Sequence, residues 1–405
     1  MSSYRIIMGD VKQRLQAMDA ATFDASFCDP PYGMNFMNQK WDYGVPPSDV
    51  WQEVQRVLKP GAFLLAFGGT RTQHRVTCAI EDAGFEIRDC IMWVYGSGWP
   101  KSLDISKAID KAAGAIREDL EPNPNKIGRT KDMRGGRYVG SGEIDDMANV
   151  CRMTKLATNT AKQWEGYKGS IKPAYEPCIM AMKPLEGTFA QNALKYGVAG
   201  LNIDACRITT DEKVTNHARG VGSAISKGVY GNSKEQNTFQ TSGQTLGRWP
   251  ANLIHDGSEE VLQLFPLTKS GAKSPTHKRH VPRLGNGHCY SDDRGGSYPR
   301  LWPGDSGSAS RFFYCAKASR KERGEGNNHT CVKPIDLSRY LAKLLLPPKR
   351  ETPRTILVPF SGSGSEMIGA LLAGWDRVVG IEIVPEYVTI AKTRLTSYST
   401  SRKVS

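Results

Sequence analysis

Two short stretches carry residues whose types and spacing could do chemistry. "FCDPPYG" (27–33) places Asp29, Pro30, Pro31 and Tyr32 directly after an apolar run. Proline fixes φ, has no N–H and drives the preceding residue out of the α region, so the stretch is a stiff, extended turn leaving a strand. It holds one carboxylate and one aromatic ring in fixed positions. Taken alone, an ordinary strand-exit turn is the preferred reading. "VPFSGSGSEMIGA" (358–370) joins a strand to a helix through Gly362 and Gly364. Glycines let backbone approach a ligand closely, and N–H groups at a helix start favour an anionic group. Glu382 follows Gly364 by eighteen residues, at the end of the next strand. In doubly wound sheets an acid there bonds ribose hydroxyls. A purely architectural turn competes with that reading, and the lack of a full GxGxxG argues against a standard NAD site.

The elements that must position these groups read as alternating strands and helices over the first hundred residues. "YRIIMGD" is a strand ending at Gly9-Asp10, and "VKQRLQAM" a helix with Val11, Leu15 and Met18 at helical spacing. "FDASFCD" is the next strand. "PSDVWQEVQRVLKPG" is a helix with Ser48 as N-cap and a Pro-Gly stop after Lys59. "AFLLAFGG" is a buried strand of parallel type, "TQHRVTCAIEDAGF" a helix and "EIRDCIMWV" a strand. The last eighty residues resume the alternation: helix "KPIDLSRYLAKLLLPP", strand "RTILVPF", the glycine turn with its helix, strand "DRVVGIEI", and a helix beginning after Val384. Such alternation implies a parallel sheet with crossover helices. Residues 96–170 are rich in Gly, Lys, Arg and Asn and weakly periodic. "YEPCIMAMK" (175–183) is strand-like and a candidate partner of "DCIMWV". Residues 185–310 mix apolar islands such as "GRWPANLIHD" with Gly- and Ser-rich segments, a pattern of functional or disordered loops.

The 405 residues suffice for one large domain with insertions, or for two domains. No apolar run reaches the roughly 18 residues of a membrane span, and the N-terminus lacks the features of a secretory signal. Nine scattered cysteines without a CxxC read as reduced thiols of a cytoplasmic protein. His288-Cys289 and His329 with Cys331 fall short of zinc-ligand spacing, so no metal is expected. The formal charge is +13, and bases cluster between residues 269 and 323, Lys278, Arg279, Arg283 and Arg311 among them. A polyanionic partner is the natural reading.

Together the motifs resemble those of the DNA amino-methyltransferases, in the permuted class called β. The pair is a DPPY-type catalytic motif, Asp29-Pro30-Pro31-Tyr32, and an FxGxG cofactor motif, Phe360-Ser361-Gly362-Ser363-Gly364, in the order that class uses. "GDVKQRL", "RVLKPGAFLLAFGG" and "NNHTCVKPIDLSRYLAKLL" also look like the family, and the resemblance covers residues 4–99, 171–184 and 326–395. It implies an α/β, Rossmann-like sheet of the methyltransferase type that uses S-adenosylmethionine (SAM), circularly permuted, with a large inserted target-recognition region. It divides the chain into a catalytic half at 1–99, a basic DNA-facing insertion at 100–170, a return strand at 171–184, a recognition region at 185–325 and a cofactor-binding half at 326–405.

The resemblance also implies roles. SAM would lie on Pro359, Phe360, Ser361, Gly362, Ser363 and Gly364, with its ribose on Glu382. Asp10 looks like the acid that accepts from the cofactor's adenine; a helix N-cap reads equally well. His329, Thr330 and Lys333, with Pro334, match the motif near the methionine carboxylate; for His329 a loop leading into a helix reads as well. The Asp29 carboxylate and the Pro30 carbonyl would accept the two N–H bonds of an exocyclic amino group, directing its lone pair at the methyl group. Tyr32 would stack on the flipped base. Lys278, Arg279 and Arg283 would meet DNA phosphates. Trp93, Trp99 and Trp164 are stacking candidates, with buried core the better reading of Trp93. One departure stands out: Val358 fills the place where the family usually has Asp, which implies either weaker cofactor binding or another group in that role. Asp29 at the first catalytic position is commoner in adenine enzymes, so adenine N6 of DNA is the expected target. An N4-cytosine enzyme, an RNA-directed enzyme and a silent, methyltransferase-like DNA-binding protein are the alternatives. The expected setting is the cytoplasm, with a bacterial or phage gene, and a homodimer is left open.

Overall fold

The computed structural model describes residues 2–34, 40–98, 102–122, 130–131, 138–139, 152–210, 217–218, 239–240, 247–269, 306–316, 327, 329 and 332–401. The chain forms two compact units, one of residues 1–97 with 174–405 and one of residues 98–173.

The larger unit is built on a nine-stranded sheet: β1 (Ser3–Met8), β2 (Phe23–Cys28), β3 (Leu58–Phe67), β4 (Glu86–Val94), β5 (Tyr175–Met182), β6 (Leu253–His255), β7 (Tyr314–Cys315), β8 (Thr355–Pro359) and β9 (Arg377–Glu382). Their spatial order is β1-β9-β8-β2-β3-β5-β4-β6-β7. Neighbours run parallel except β5, which is antiparallel to both β3 and β4. The unit's helices of six or more residues are α1 (Val11–Gln16), α2 (Ser48–Val57), α3 (Gln73–Asp82), α4 (Phe189–Tyr196), α5 (Ile335–Leu344), α6 (Ser365–Ala373) and α7 (Pro385–Ser401). The two ends of the chain share the sheet, since β1 pairs with β9 and sets Met8 opposite Glu382.

All six residues of β2 are buried, as befits a strand covered on both faces. One face packs Phe27, Leu65 and Met180 against Leu341 of α5 and Ile368 of α6. The other packs Leu64 against Leu15 of α1, Trp51 and Val54 of α2 and Ile80 of α3. Each such side chain contributes about 1.5–3 kcal/mol by leaving water. Close approach of α5 and α6 requires Gly369, where a Cβ would lie 2.5 Å from the Ser338 carbonyl carbon.

Two expectations need correction. First, Ser48 is the first residue of α2 rather than its cap; Pro47 holds the N-cap position, and the helix ends at Val57. Lys59 precedes a proline and is therefore pushed to extended backbone, so Leu58, Lys59, Pro60 and Gly61 open β3 instead of stopping the helix. Second, β3 has a parallel neighbour on one side only. Its other neighbour, β5, returns from the end of β4 through residues 95–174 and so runs backward, with Val94 opposite Tyr175. Within the stretch 185–325, β6 and β7 extend the sheet beside β4.

In the smaller unit a helix, Ile105–Ala112, is capped by Asp104, and a second, Asn159–Gln163, by Thr158. Buried Asp110 joins them, accepting from Arg117 Nε at 2.6 Å, Ala157 N at 3.1 Å and Thr158 Oγ1 at 2.7 Å. Among the described residues no helix is long and apolar enough to cross a membrane.

Candidate active site

The winding of the sheet reverses between β8 and β2. From β8 the chain passes through α6 to β9 on one side; from β2 it passes through α2 to β3 on the other. At such a point the loops leaving the strands part and open a crevice. The two turns singled out in the sequence leave these two adjacent strands.

The glycine turn after β8 has positive φ at Phe360 (60°), Gly362 (49°) and Gly364 (81°). A phenylalanine in the left-handed region is strained; its ring packs 6.1 Å from that of Trp51. Glu382, at the end of β9, accepts from Gly362 N at 2.7 Å and Val384 N at 2.8 Å. Burial pushes its carboxyl up, against the pull of these N–H groups. Arg394 of α7 donates to the Ser363 carbonyl at 2.6 Å and to Ser365 Oγ at 3.1 Å. Ser361 Oγ is buried with no hydrogen-bond partner among the described residues. His329 lies over the turn, where a Cβ on Gly362 would come within 3.0 Å of its Nε2. Its ring meets Tyr387 edge-on at 4.4 Å and lies nearly parallel to Trp41 at 6.2 Å. Asp10, beyond β1, accepts from Gln13 N at 3.0 Å and caps α1. Gly9 N donates to the Glu382 carbonyl at 2.9 Å, which brings this loop beside the end of β9. A close backbone cradle, a buried carboxylate and an unpartnered hydroxyl fit the ribose and polar groups of a nucleoside-bearing cofactor.

The turn after β2 is held from below by Asp42, whose Oδ1 accepts from Tyr32 N at 2.8 Å and Gly33 N at 2.9 Å. Asp29 accepts from the Tyr32 hydroxyl on Oδ1 at 2.7 Å and from Lys333 Nζ on Oδ2 at 2.6 Å. Glu176, near the start of β5, brings Oε2 to 3.1 Å from Lys333 Nζ and 3.2 Å from the Tyr32 hydroxyl. The ammonium also lies 4.7 Å from the ring centre of Phe67. Glu366, in the first turn of α6, is buried. Burial pushes its carboxyl up to about 7, the charge of Asp29 adds to this, and Lys333 and Arg394 oppose it. Two carboxylates therefore meet the Lys333 ammonium, and a third acid, Glu366, lies within reach of its charge.

The structure thus brings Asp29, Tyr32 and Lys333 together at one turn, and Phe360, Ser361, Gly362, Ser363, Gly364, His329 and Glu382 at the other. The Lys333 ammonium sits on Asp29, Tyr32 and Glu176, where the resemblance had grouped it with the cofactor residues. Pro30 is buried and Pro31 half-buried. Thr330, Lys278, Arg279, Arg283, Trp99, His288, Cys289 and Cys331 lie outside the described residues. Of the basic run, Arg311 is tied to the Gly307 and Ser308 carbonyls, both at 2.7 Å. Trp93 is partly buried against the core with its ring 4.9 Å from Tyr95, and Trp164 of the smaller unit is 44% exposed. Val358 is wholly buried. Asp42, Glu176 and Glu366 were missed. A signal existed for two of them: each of Glu176 and Glu366 is a lone acid in an otherwise apolar element.

A family model described as DNA methylase, N6_N4_Mtase, matches residues 23–393. The Type II methyltransferase M.HindIII of Haemophilus influenzae is 24% identical over 227 residues, which cover 53% of this chain and 55% of that protein. The chain therefore spans about half the length of this curated relative. Among solved structures, the M1.HpyAVI–SAM complex superposes with a TM-score of 0.38 at 12% identity, covering 97% of this chain and 100% of that one. The cytosine-N4-specific PvuII DNA methyltransferase gives 0.41 at 13% identity, covering 97% and 86%.

Proposed function

The chain belongs to the N6_N4 DNA methylase family, and from that premise we propose that it transfers a methyl group from SAM to the N6 amino group of adenine in DNA. The observation that carries the reading is the meeting of two turns at one switch point: a glycine cradle with a buried acid after β8, and a carboxylate with an aromatic ring after β2. Bound at the cradle, SAM supplies an electrophilic methyl group. Gly362, Gly364 and the Ser361 hydroxyl hold the cofactor, Glu382 takes ribose hydroxyls, and Asp10 takes the amino group of the cofactor's adenine.

An exocyclic amino nitrogen is a poor nucleophile because its lone pair is delocalised into the ring. Asp29 and the Pro30 carbonyl accept its N–H bonds, favour the pyramidal form and orient the lone pair. Asp29 is also the acceptor for the proton that the nitrogen sheds. The base must leave the duplex stack, which costs a few kcal/mol; stacking on the Tyr32 ring returns about 1–3 kcal/mol. Lys278, Arg279 and Arg283 supply phosphate contacts, and the segments 100–170 and 185–325 the wider DNA-facing surface. Asp29 as first catalytic residue favours adenine over cytosine.

The test is to incubate the chain with SAM and duplex DNA, digest the DNA to nucleosides and measure their masses. N6-methyladenine is expected. Asp29→Ala should lower its yield by about tenfold or more while calorimetric SAM binding persists. N4-methylcytosine without N6-methyladenine would overturn the choice of base, and DNA retarded but unmethylated would favour a silent binder.

A further inference from the structure

Glu176 has no role in the chemistry above, yet it completes the ion cluster at the catalytic turn. The Lys333 side chain is only 6% exposed, and an ammonium has three N–H bonds to place. It meets Asp29 Oδ2 at 2.6 Å, Tyr32 Oη at 3.1 Å and Glu176 Oε2 at 3.1 Å. Asp29 is thereby engaged on both oxygens, Oδ1 by the Tyr32 hydroxyl and Oδ2 by Lys333. Every donor already on a carboxylate weakens its pull on the next one. For Asp29 to take an incoming amino N–H, Lys333 must loosen its hold.

A buried ammonium without counter-charge is strongly unfavourable. Glu176 supplies that counter-charge from a different element. Its strand is fixed on both edges, with Glu176 paired opposite Trp93 of β4 and Cys178 opposite Phe67 of β3. The carboxylate is thus held independently of the Asp29 turn. Resting on the methyl-transfer reading, we infer that Glu176 is a positioning residue: it retains the Lys333 ammonium and so lets Asp29 turn an oxygen to the amino group of the target base.

Without the Glu176 charge, Lys333 falls to Asp29. Asp29 is then held harder, so transfer slows; with one negative charge fewer beside Asp29, Glu366 and Lys333, the acid limb of the kcat–pH profile moves to lower pH. A residue that merely braced β5 would change stability and leave the limb in place.

The experiment uses the full chain with SAM and duplex DNA and compares wild type, Glu176→Gln, Glu176→Asp, Lys333→Met and the double variant Glu176→Gln/Lys333→Met. Glu176→Gln should lower kcat by about tenfold, leave the KM for SAM nearly unchanged and shift the acid limb down. Glu176→Asp, which keeps the charge, should recover part of kcat. In the Lys333→Met background, Glu176→Gln should bring no further loss. Should Glu176→Gln fail to fold, Glu176→Asp carries the test, since a shorter arm loosens Lys333 and must shift the limb the same way. An unmoved limb with near wild-type kcat overturns the inference, as does an equal loss in the Lys333→Met background. A wild-type chain that methylates nothing overturns the methyl-transfer reading itself, and the inference falls with it.

Discussion

The two ends of β2 each present an aspartate, five residues apart in the chain, and treat it in opposite ways. Asp24 has no exposed side chain and meets two cations, Lys59 and Arg350, each at 2.6 Å; its second oxygen accepts from Thr355 N at 2.7 Å. One acid thus ties together β2, the start of β3 and the start of β8. Asp29, 15% exposed, shares a single ammonium with Glu176, and Glu366 lies close enough to feel its charge. At the first end cations exceed acids and no demand is left for a donor. At the second, acids exceed cations among the described residues, and acceptor capacity arises as soon as Lys333 loosens its hold on Asp29. A surplus of acceptors at a strand's carboxyl end, beside a switch point, is what a ligand bearing N–H groups requires; a saturated acid at the opposite end serves cohesion.

Removing each acid in turn should have the largest effect. Asp24→Ala leaves two cations without their shared partner and Thr355 N without an acceptor. Loss of one partner from a buried ion pair costs about 3–5 kcal/mol, and the partial exposure of Lys59 and Arg350 places the expected loss near 3 kcal/mol. Urea unfolding should show it as a large drop in midpoint. Asp29→Ala should lower the midpoint much less, because Lys333 keeps Glu176. Equal losses would mean that the two ends are alike.

The same contrast explains what could be read in the sequence. β2, β4, β8, β9 and the glycine turn are local patterns: a short apolar run such as Ile356-Leu357-Val358, or two glycines between a strand and a helix, declares itself without knowledge of its neighbours. Asp29, Tyr32, Gly362, Gly364 and Glu382 were legible for that reason. The pairing of β5 with β4 was legible as well; its direction and its pairing with β3 were not, because an apolar run carries no direction and β3 lies more than 100 residues away in the chain. Glu176 escaped for the same cause. Its meaning depends on Lys333, and Lys333 meets Asp29 across 304 residues of sequence. Val358 shows the converse. The resemblance implies a carboxylate there, but Val358 is sealed in the core, and no pattern of one strand shows what lies beside it.

Glu366 offers a smaller, pH-dependent test of the acid-rich end. Its carboxyl is raised from the ordinary 4.5 to about 7, chiefly by burial, with Asp29 adding to the effect. Between these values the folded chain holds a proton that the unfolded chain has released. The stability this contributes is therefore full below about pH 4.5 and is lost as pH rises through about 7. Glu366→Gln removes the titration, so the decline in stability across that window should flatten relative to wild type. Urea midpoints of both proteins at about pH 5 and about pH 8 measure the difference. Parallel declines would mean that Glu366 is ionised throughout and adds a full negative charge beside Asp29.

The smallest expected effect falls on Asp10, at the same edge of the sheet as Asp29 and Glu382 but exposed. Its carboxylate has a local task, accepting from Gln13 N at 3.0 Å at the start of a helix only six residues long. An N-cap of this kind stabilises by about 1 kcal/mol, so Asp10→Ala should lower the urea midpoint by that order. The proposed second task, accepting from the adenine of SAM, separates from the first in Asp10→Ser. Serine keeps the cap, since its hydroxyl accepts from the same N–H group, but gives up the charge and the reach of a carboxylate. Stability should then return to within a few tenths of a kcal/mol of wild type. Calorimetric SAM affinity should stay reduced if the acid serves the cofactor. If affinity recovers together with the cap, Asp10 belongs with Asp24, as an acid spent wholly on the fold.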